Sequence, residues 1–480
     1  MAGSGKAMVG GNQRRAAETD QMEPRADIGV VGLGVMGRNL AANIQDKGFQ
    51  VVGFDADAGQ RARAEAEGLT VAPSAAALVA ALRVPRAVLL LVPAGPAVDA
   101  AIAGLRPLLA AGDIVVDGGN SHYPDTIRRG AEQAAAGLGF VGLGVSGGEE
   151  GARHGPALMA GGDDAAWRRL EPLLTAVAAR FDGRPCCGHV GADGAGHFVK
   201  MAHNGIEYGQ MQLIAEACLL LRHGLGLDWP AAAGIVAGWN AGEEASYLLE
   251  ITADILATPD PEAGGALLDR VADRTGHKGT GVWTVEAALA LGVPVPTMAA
   301  AVWARALSAT RDPAAAAAGW PPPAAAFTAG DLGTALAAAS LVAYGEGLDL
   351  IAAGARHHGW QTDRAAVAEL WRAGCIIRSA ALDRIAAVLR AEPGEQSFLD
   401  RGWSRRRVGA ALPAWRRILA AGAEAGVPLP AFAAAFHHAA ARAAPEVGAR
   451  IVAAQRDRFG AHGFARVDRG GSHHAAWEGR

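Results

Sequence analysis

A glycine-rich turn between a strand and a helix constrains the fold of this chain more than any other feature. Residues 27–31 are mostly apolar and predict a short strand. The turn Gly32-Leu33-Gly34-Val35-Met36-Gly37 follows, and a helical run extends from Asn39 to Lys47. Glycines at this spacing permit a tight turn and let a pyrophosphate approach the backbone at the helix N-terminus. A purely structural turn is the alternative, but a second strand, Gln50 to Phe54, which ends at Asp55, favours a dinucleotide site.

The pattern after this turn predicts two domains of different class. Further strands at Ala87–Val92, Ile114–Val116 and Phe140–Gly142 alternate with alanine-rich helical stretches. Such alternation is typical of a Rossmann-type α/β domain with a parallel sheet. Beyond about residue 195 the strand signals fade, and long Ala/Leu-rich segments predict a large all-α domain. The expected boundaries are a disordered extension (1–26), a dinucleotide-binding domain (27–194), an all-helical domain (195–450) and a C-terminal tail (451–480).

The composition excludes several classes of function. Half of the 480 residues are hydrophobic (51%), yet no apolar run is long enough to cross a bilayer. The formal charge of −4 argues against a nucleic-acid partner. Cys186, Cys187, Cys218 and Cys375 form no C-x-x-C pair, so buried free thiols are expected rather than zinc ligands or disulfides. The N-terminal stretch lacks the apolar segment of a signal peptide, and we expect a cytoplasmic protein.

The scarcest residue types of the chain point to a second site. Lysine occurs only at Lys6, Lys47, Lys200 and Lys278, against 44 basic residues in all, and tyrosine occurs four times. A chain this rich in arginine should keep lysine where a neutral amine is needed, because a guanidinium does not lose its proton near neutral pH. The segment from Lys200 to Tyr208 holds both scarce types.

The polar residues of this segment share one helix face. Lys200, His203, Asn204, Glu207 and Tyr208 stand at i, i+3, i+4, i+7 and i+8, among apolar neighbours. A solvated charged face is the alternative, but such faces usually repeat Glu, Lys and Arg. The mixed set of side chains indicates a catalytic site.

Two glycine-rich loops could complete this site. Ser146-Gly147-Gly148 follows a strand and offers backbone N–H groups and a hydroxyl to an anionic oxygen. Lys278 and Thr280 lie in a second such loop, which suits a phosphate. Each loop alone could be a structural turn. Together with the helix they indicate an anionic substrate that carries hydroxyl groups.

Asp55 bears on the choice of nicotinamide cofactor. A carboxylate at this position can accept the ribose hydroxyls of NAD and repels the 2′-phosphate of NADP, and Asp57 adds to the repulsion. The alternative is a solvated strand end, with Arg61 or Arg63 reaching back to a 2′-phosphate. The residues therefore favour NAD. The expected cofactor contacts are Gly32, Gly34, Val35, Met36, Gly37, Asp55 and Asn120.

These motifs together resemble one family, the decarboxylating 6-phosphogluconate dehydrogenases within the β-hydroxyacid dehydrogenases. The turn at 32–37, Asp117-Gly118-Gly119-Asn120-Ser121, the Ser146 loop, the Lys200 helix and the Lys278 loop occur here in the family's order. Gly374-Cys375-Ile376-Ile377-Arg378-Ser379 and Gln455-Arg456-Asp457 follow, so the resemblance spans roughly residues 27 to 465.

The resemblance implies oxidation of 6-phospho-D-gluconate to D-ribulose 5-phosphate and CO2 with reduction of NAD(P), in the pentose phosphate pathway and gluconate utilisation. It implies Lys200 as general base and Glu207 as the acid that protonates C1, in a homodimer, with no metal and no membrane. The implied substrate-binding residues are Asn120, Ser146, Gly147, Gly148, His203, Asn204, Tyr208, Lys278, Thr280 and Arg305, with Arg456 and His462 supplied by the partner subunit's tail.

The sequence differs from the family pattern at two places, and two alternative functions remain. Many NADP-using relatives carry Asn-Arg-Thr where this chain reads Asp55-Ala56-Asp57, and a lysine where Pro93 stands, so NADP is the family default but the local residues favour NAD. A β-hydroxyacid dehydrogenase for another small hydroxy acid is the nearest alternative, although a phosphate pocket would be superfluous there. A non-catalytic nucleotide sensor is the other, and the intact Lys200 and Glu207 argue against it.

Overall fold

The computed structural model describes residues 26–276, 279–312 and 327–477. Within them, seven strands form one sheet in the order β2-β1-β3-β4-β5-β6-β9. The first strands are short and buried, as expected for a sheet covered by helices on both faces. The strands of this sheet are β1 Ile28–Val31, β2 Val51–Phe54, β3 Ala87–Leu90, β4 Ile114–Asp117, β5 Gly139–Ser146, β6 Ala157–Gly162 and β9 Cys187–Gly191; β7 Arg180–Phe181 and β8 Arg184–Pro185 form a small hairpin.

The sheet is parallel, as predicted, except between β5 and β6. The first five strands pair in parallel, but β6 pairs with β5 antiparallel, and β9 then pairs with β6 in parallel. Neither β6 nor β9 was predicted, because each contains two glycines and the two strands together contain a single β-branched residue, Val190. The helices of this domain are α1 Val35–Asp46, α2 Ala58–Ala66, α3 Ala75–Ala80, α4 Pro96–Leu105, α5 Tyr123–Ala135, α6 Gly148–His154 and α7 Asp164–Val177.

A second, helical domain begins directly after β9. Its described helices are α8 Ala195–Leu219, α9 Trp229–Asn240, α10 Tyr247–Ala257, α11 Thr280–Ala290, α12 Pro296–Thr310, α13 Ala329–His358, α14 Arg364–Leu370, α15 Ala381–Ala391, α16 Gly402–Glu424 and α17 Pro430–Ala443. The long helices α8 and α13 pack together at its centre. Among the described helices α13 alone is long and apolar enough to cross a membrane, but 83% of that window is buried inside the fold, as in a core helix of a globular domain.

Two buried carboxylates on the central helices α8 and α13 bind the N-termini of two neighbouring helices. Glu346 on α13 accepts hydrogen bonds from the backbone N–H groups of Thr297 and Met298, at the start of α12. Glu216 on α8 does the same for the first turn of α17. A carboxylate is favourable at a helix N-terminus, where N–H groups have no partner within the helix. Glu346 thereby sets the position of α12, a helix that carries one of the predicted site residues.

The C-terminal segment has more structure than its sequence indicated. It contains α18 Ala449–Gly460, which begins just before the predicted boundary at 451, and a hairpin of β10 Phe464–Ala465 with β11 Ser472–His473. The buried Asp457 accepts hydrogen bonds from Gly463, Ala475 and the Trp477 indole, and contacts His474. The residues after α18 therefore pack back against that helix through Asp457. The predicted extension, residues 1–26, lies outside the described residues except for Ala26.

Candidate active site

The glycine turn has the geometry that a pyrophosphate site requires. A Cβ at Gly32 would lie 2.5 Å from the carbonyl oxygen of Leu91, and one at Gly37 would lie 1.8 Å from the carbonyl oxygen of Gly32. Gly34, in contrast, has open space around it, and the first helical residue, Val35, is exposed. The turn is thus closed on the protein side and open at the N-terminus of α1. These residues fit a dinucleotide.

Asp55 is held in place under this turn. Its Oδ2 accepts a hydrogen bond of 2.7 Å from the backbone N–H of Leu33, and its Oδ1 accepts one of 2.9 Å from Asp57. Asp57 in turn caps α2 through Gly59. Arg61 donates to the backbone carbonyls of Asp55 and Ala56. The carboxylate therefore faces the dinucleotide turn.

The predicted catalytic stripe lies on α8, where most of it is inaccessible to water. Lys200, His203, Asn204 and Tyr208 are buried, and Glu207 is partly exposed. The N-terminal half of α8 packs against the sheet, since a Cβ at Gly144 of β5 would lie 2.6 Å from the Cβ of Lys200. A buried polar stripe of this kind needs partners within the protein or in a ligand.

Lys200 and His203 form the centre of the stripe. The Lys200 Nζ donates to Asn204 Oδ1 at 2.9 Å and lies 3.4 Å from His203 Nδ1. Burial lowers the pKa of Lys200, partly opposed by the nearby Glu207. Burial, and then the charge of Lys200, hold the pKa of His203 well below its ordinary value. The site favours a neutral imidazole and a lysine that can lose its proton.

Glu207 lies one turn further along the same face. Its Oε2 is 3.9 Å from His203 Nδ1. Burial raises the pKa of Glu207, while Lys200 and Arg305 lower it. A carboxyl group with a raised pKa can hold a proton at higher pH than an exposed one. Glu207 thus has the property of a general acid.

The Ser146 loop meets the stripe at the end of β5. The Ser146 hydroxyl lies 3.1 Å from His203 Nε2. Gly147 and Gly148 follow with φ of 114° and 62°, a backbone that other residues adopt only at a cost. A Cβ at Gly147 would also lie 2.6 Å from the carbonyl oxygen of Gly374. The loop is therefore shaped by its glycines and packs against the segment that carries Cys375.

The predicted phosphate residues come together only in part. The guanidinium of Arg305, on α12, lies 3.5 Å from the centre of the Tyr208 ring, a cation–π contact. A Cβ at Gly281 would lie 2.6 Å from that ring, so the start of α11, with the buried Thr280, is adjacent. Lys278 lies outside the described residues. Tyr208, Arg305 and Thr280 therefore form one cluster beside Glu207.

Asn120 and the two predicted residues of the C-terminal segment, Arg456 and His462, are exposed on the surface of the chain. Asn120 is exposed in the loop after β4, where Asp117 accepts a hydrogen bond from the backbone N–H of Gly119. Arg456 and His462 are exposed on the C-terminal segment. Over the described ranges no hydrogen bond or ion pair joins either of these two to the Lys200 cluster. A single chain leaves the two tail residues outside its own site.

Sequence reasoning missed two buried side chains beside the site. His197, one turn before Lys200, has its Nδ1 2.7 Å from the Thr126 hydroxyl. Arg129 is fully buried on α5 and contacts Asp99 and Asp117. His197 could have been found as an early member of the α8 polar face. Arg129 could not, since arginine is common in this chain and nothing local sets this one apart.

The free thiols are as expected, and no metal cluster was found in the described part of the chain. Cys186, Cys187, Cys218 and Cys375 are all buried and unpaired with one another, and burial raises the pKa of each. Over residues 26–276, 279–312 and 327–477, no group of three or more His, Cys, Asp or Glu side chains could hold a metal ion.

The fold and the site together define a nicotinamide-dinucleotide-dependent dehydrogenase with a Rossmann-type domain and a large all-α domain, as predicted. Residues 27–191 match the NAD binding domain of 6-phosphogluconate dehydrogenase, and residues 196–477 match the C-terminal domain of that enzyme. The chain belongs to the 6-phosphogluconate dehydrogenase family, and the predicted resemblance is confirmed.

Relatives over the whole length support this assignment. The decarboxylating 6-phosphogluconate dehydrogenase of Haemophilus ducreyi is 42% identical, over 96% of this chain and 98% of its own length. That of Schizosaccharomyces pombe is 43% identical over 92% of both chains. The solved 6-phosphogluconate dehydrogenase of Plasmodium falciparum matches with a TM-score of 0.88 and 35% identity, covering 94% of this chain and 100% of that one. That enzyme was solved in its apo form, with its cofactor NADP+ and with its substrate 6-phosphogluconate.

Proposed function

We propose that this chain catalyses the oxidative decarboxylation of 6-phospho-D-gluconate to D-ribulose 5-phosphate and CO2. The observation that carries the proposal is the buried Lys200, which has a lowered pKa and lies within reach of Asn204 and His203, on one helix face with Glu207. Full-length similarity to decarboxylating 6-phosphogluconate dehydrogenases supports this function over a dehydrogenase for a smaller hydroxy acid.

The residues have distinct roles in this reaction. Neutral Lys200 takes the proton of the C3 hydroxyl, and the resulting ammonium then polarises the C3 carbonyl while the β-keto acid loses CO2. The bound dinucleotide accepts the hydride from C3. Glu207 donates a proton to C1 of the enediol that remains. His203 and Asn204 orient the substrate and hold Lys200, and the β-keto acid needs no metal because its own carbonyl takes up the electrons.

Substrate recognition is divided among three groups. Ser146, Gly147 and Gly148 bind the carboxylate and adjacent hydroxyls, and Asn120 lies between substrate and cofactor. The cluster of Tyr208, Thr280 and Arg305, with Lys278, binds the phosphate. Turnover of 6-phosphogluconate by the purified protein, with CO2 release, tests the assignment. A folded protein that turns over a smaller hydroxy acid but not 6-phosphogluconate would overturn it.

We further propose that the chain prefers NAD to NADP. Asp55 is fixed beneath the dinucleotide turn, and Asp57 follows it, so two carboxylates stand where a 2′-phosphate would approach. Arg61 is engaged with the backbone of this same loop, which argues against its pairing with a phosphate. The test compares kcat/KM with NAD and with NADP, in the wild type and in Asp55→Asn. The variant should shift the ratio toward NADP, and an unchanged ratio would mean that the ribose is recognised elsewhere.

We also propose a cytoplasmic homodimer in which tails are exchanged. Ile451, Val452 and Phe459 on α18 are 54–74% exposed, an apolar surface that a second copy would cover. Arg456 and His462 are exposed beside it, so the partner subunit's tail would supply them to the site. Co-expression of Lys200→Met and Arg456→Ala chains tests this. Each homodimer should be inactive or weakly active, whereas mixed dimers should recover activity at one site. No recovery in verified mixed dimers would contradict exchange.

A further inference from the structure

The fully buried Arg129 joins the two loops that flank the dinucleotide site. Its side chain is 1% exposed, and it lies on α5. A buried guanidinium has five N–H donors that need acceptors, so the segments that supply these acceptors are the ones that Arg129 connects.

The first set of partners belongs to the loop after β3. The Nε and Nη2 atoms of Arg129 donate to the two oxygens of Asp99 at 2.8 and 3.0 Å, a bidentate pair at the first turn of α4. Nη2 also donates to the carbonyl oxygen of Gly95 at 3.0 Å. The pKa of the Asp99 carboxyl is held low, mainly by the hydrogen bond from Arg129. Arg129 thus fixes the end of the loop that contains Pro93.

The second set belongs to the loop after β4. Nη1 lies 3.4 Å from Asp117 Oδ2 and 3.4 Å from the Ser121 hydroxyl. Asp117 accepts from the backbone N–H of Gly119 and from the Ser121 hydroxyl, so it shapes the turn that presents Asn120. Asp117 is fully buried, and Arg129 is the cation paired with it.

These loops touch each other and the catalytic helix. A Cβ at Gly119 would lie 3.1 Å from the carbonyl oxygen of Val92, and one at Gly118 would lie 3.2 Å from that of Leu90. His197 lies one turn before Lys200, and burial lowers the pKa of its imidazole, partly opposed by Asp117 and by a hydrogen bond to the backbone of Gly119. Since ligands of such sheets bind beyond the carboxyl ends of the strands, both loops border the dinucleotide.

We propose that Arg129 is a positioning residue, which sets the spacing between the β3 and β4 loops for dinucleotide binding and hydride transfer. This inference rests on the proposed function, in that it concerns the dinucleotide of that reaction. Arg129 does not touch the reacting atoms. It acts through Asp99, Gly95 and Asp117, and a lysine ammonium cannot reproduce the planar bidentate pair with Asp99.

The test uses two variants and a matched control in the full-length protein. Arg129→Lys keeps the charge but loses the bidentate geometry, and Asp99→Asn loosens the same pair at a residue whose side chain is 42% exposed. Arg128→Met is the control, because Arg128 is adjacent and also donates to Asp99 at 2.9 Å, whereas Gly95 and Asp117 are bonded to Arg129. Dinucleotide Kd is measured by NADH fluorescence, and KM and kcat are measured with 6-phosphogluconate and with its C3-deuterated form.

For Arg129→Lys we expect the dinucleotide Kd to rise about tenfold and kcat to fall about tenfold, with a larger deuterium isotope effect on kcat, because misplacement of reactants by a fraction of an ångström is costly. Asp99→Asn should change in the same direction by a smaller factor, and Arg128→Met should stay within about twofold of wild type. A merely structural role would lower the yield of folded protein without moving Kd or the isotope effect.

The proposal is overturned if Arg129→Lys and Asp99→Asn keep the Kd and isotope effect of Arg128→Met. Should Arg129→Lys fail to fold, Asp99→Asn decides by the same measurements. Failure of the proposed function is a separate result: wild-type protein would bind NADH yet not turn over 6-phosphogluconate, and the Kd comparison would still test Arg129.

Discussion

A methyl group added at Gly144 should impair catalysis by displacing Lys200. In Gly144→Ala the new Cβ would lie 2.6 Å from the Lys200 Cβ, which is 0.8 Å short of the 3.4 Å at which ordinary contact begins. The clash is with the Cβ of the lysine, and the adjacent residue of the helix, Met201, accepts a hydrogen bond from the Thr284 hydroxyl through its backbone carbonyl. The lysine cannot evade it by a rotamer change alone, so α8 must move from β5 by most of that distance.

The expected loss follows from that displacement. Moving a catalytic group by about 1 Å lowers a rate by about 10²-fold, and overpacking of this kind costs about 1–3 kcal/mol of stability. Steady-state kcat and KM with 6-phosphogluconate, together with urea unfolding, measure the two effects separately. We expect kcat to fall about 10²-fold in a protein that remains folded.

A matched control lies on the same strand. In Gly139→Ala the nearest atoms to the new Cβ would be Ala166 Cβ at 3.0 Å and Ile114 Cγ1 at 3.3 Å, neither of them on α8, so the substitution should lower stability slightly and leave kcat unchanged. If Gly144→Ala is shown to be folded and its kcat lies within about threefold of that of Gly139→Ala, the predicted displacement of Lys200 does not occur. The contact between β5 and α8 would then not determine the position of the base.

Lys200→Arg should bind dinucleotide normally and lose about 10³-fold in kcat, because a guanidinium is no base near neutral pH; appreciable turnover would remove Lys200 from that role. Since burial lowers the pKa of Lys200, kcat/KM should rise with pH along a limb whose midpoint lies below 10.5. Glu207→Gln should move that limb to lower pH, because Glu207 raises the pKa of Lys200, and an unmoved limb would contradict their coupling. Glu216, whose pKa is raised from 4.5 to about 7, stabilises the fold most when protonated, so this contribution should be lost as pH rises through about 7. Glu216→Gln should flatten that part of the urea-stability profile and cost about 1–3 kcal/mol, because one N–H donor of α17 loses its acceptor.

The sequence was sufficient for the two-domain fold and for the stripe on α8, for identifiable physical reasons. The glycine turn and the buried strands before β5 have strong local signals, and helical spacing places Lys200 and Glu207 on one face. The strands β6 and β9 have no such signal, because Gly161 and Gly191 lie where they contact α8, and glycine has a low strand propensity. In β6, a Cβ at Gly161 would lie 2.2 Å from the backbone nitrogen of Gly196.

The rarity of lysine and tyrosine made the residues on α8 predictable from the sequence, whereas the abundance of arginine concealed Arg129. Lysine and tyrosine are scarce here, so their positions on α8 carried information. Arginine is abundant, so the sequence could not distinguish the buried Arg129 from the exposed Arg128 beside it. The difference appears only when β3, β4 and α5 come together in three dimensions. Residues that act through long-range contacts are therefore the ones a single sequence hides.

The two domains contact each other through the backbone of glycine residues, and these contacts set the position of the catalytic lysine. A Cβ at Gly196 would lie 2.2 Å from the carbonyl oxygen of Gly142, and one at Gly142 would lie 3.0 Å from His197. The first turn of α8 thus packs directly on β5 and β6, with the backbone of Gly196 against the backbone of Gly142 and Gly161. Lys200 stands one turn further along the same rigid helix. Its distance from the dinucleotide-binding domain is therefore set by glycines in the sheet, so substitutions at Gly142 and Gly144 should affect the rate of hydride transfer although neither residue binds the substrate.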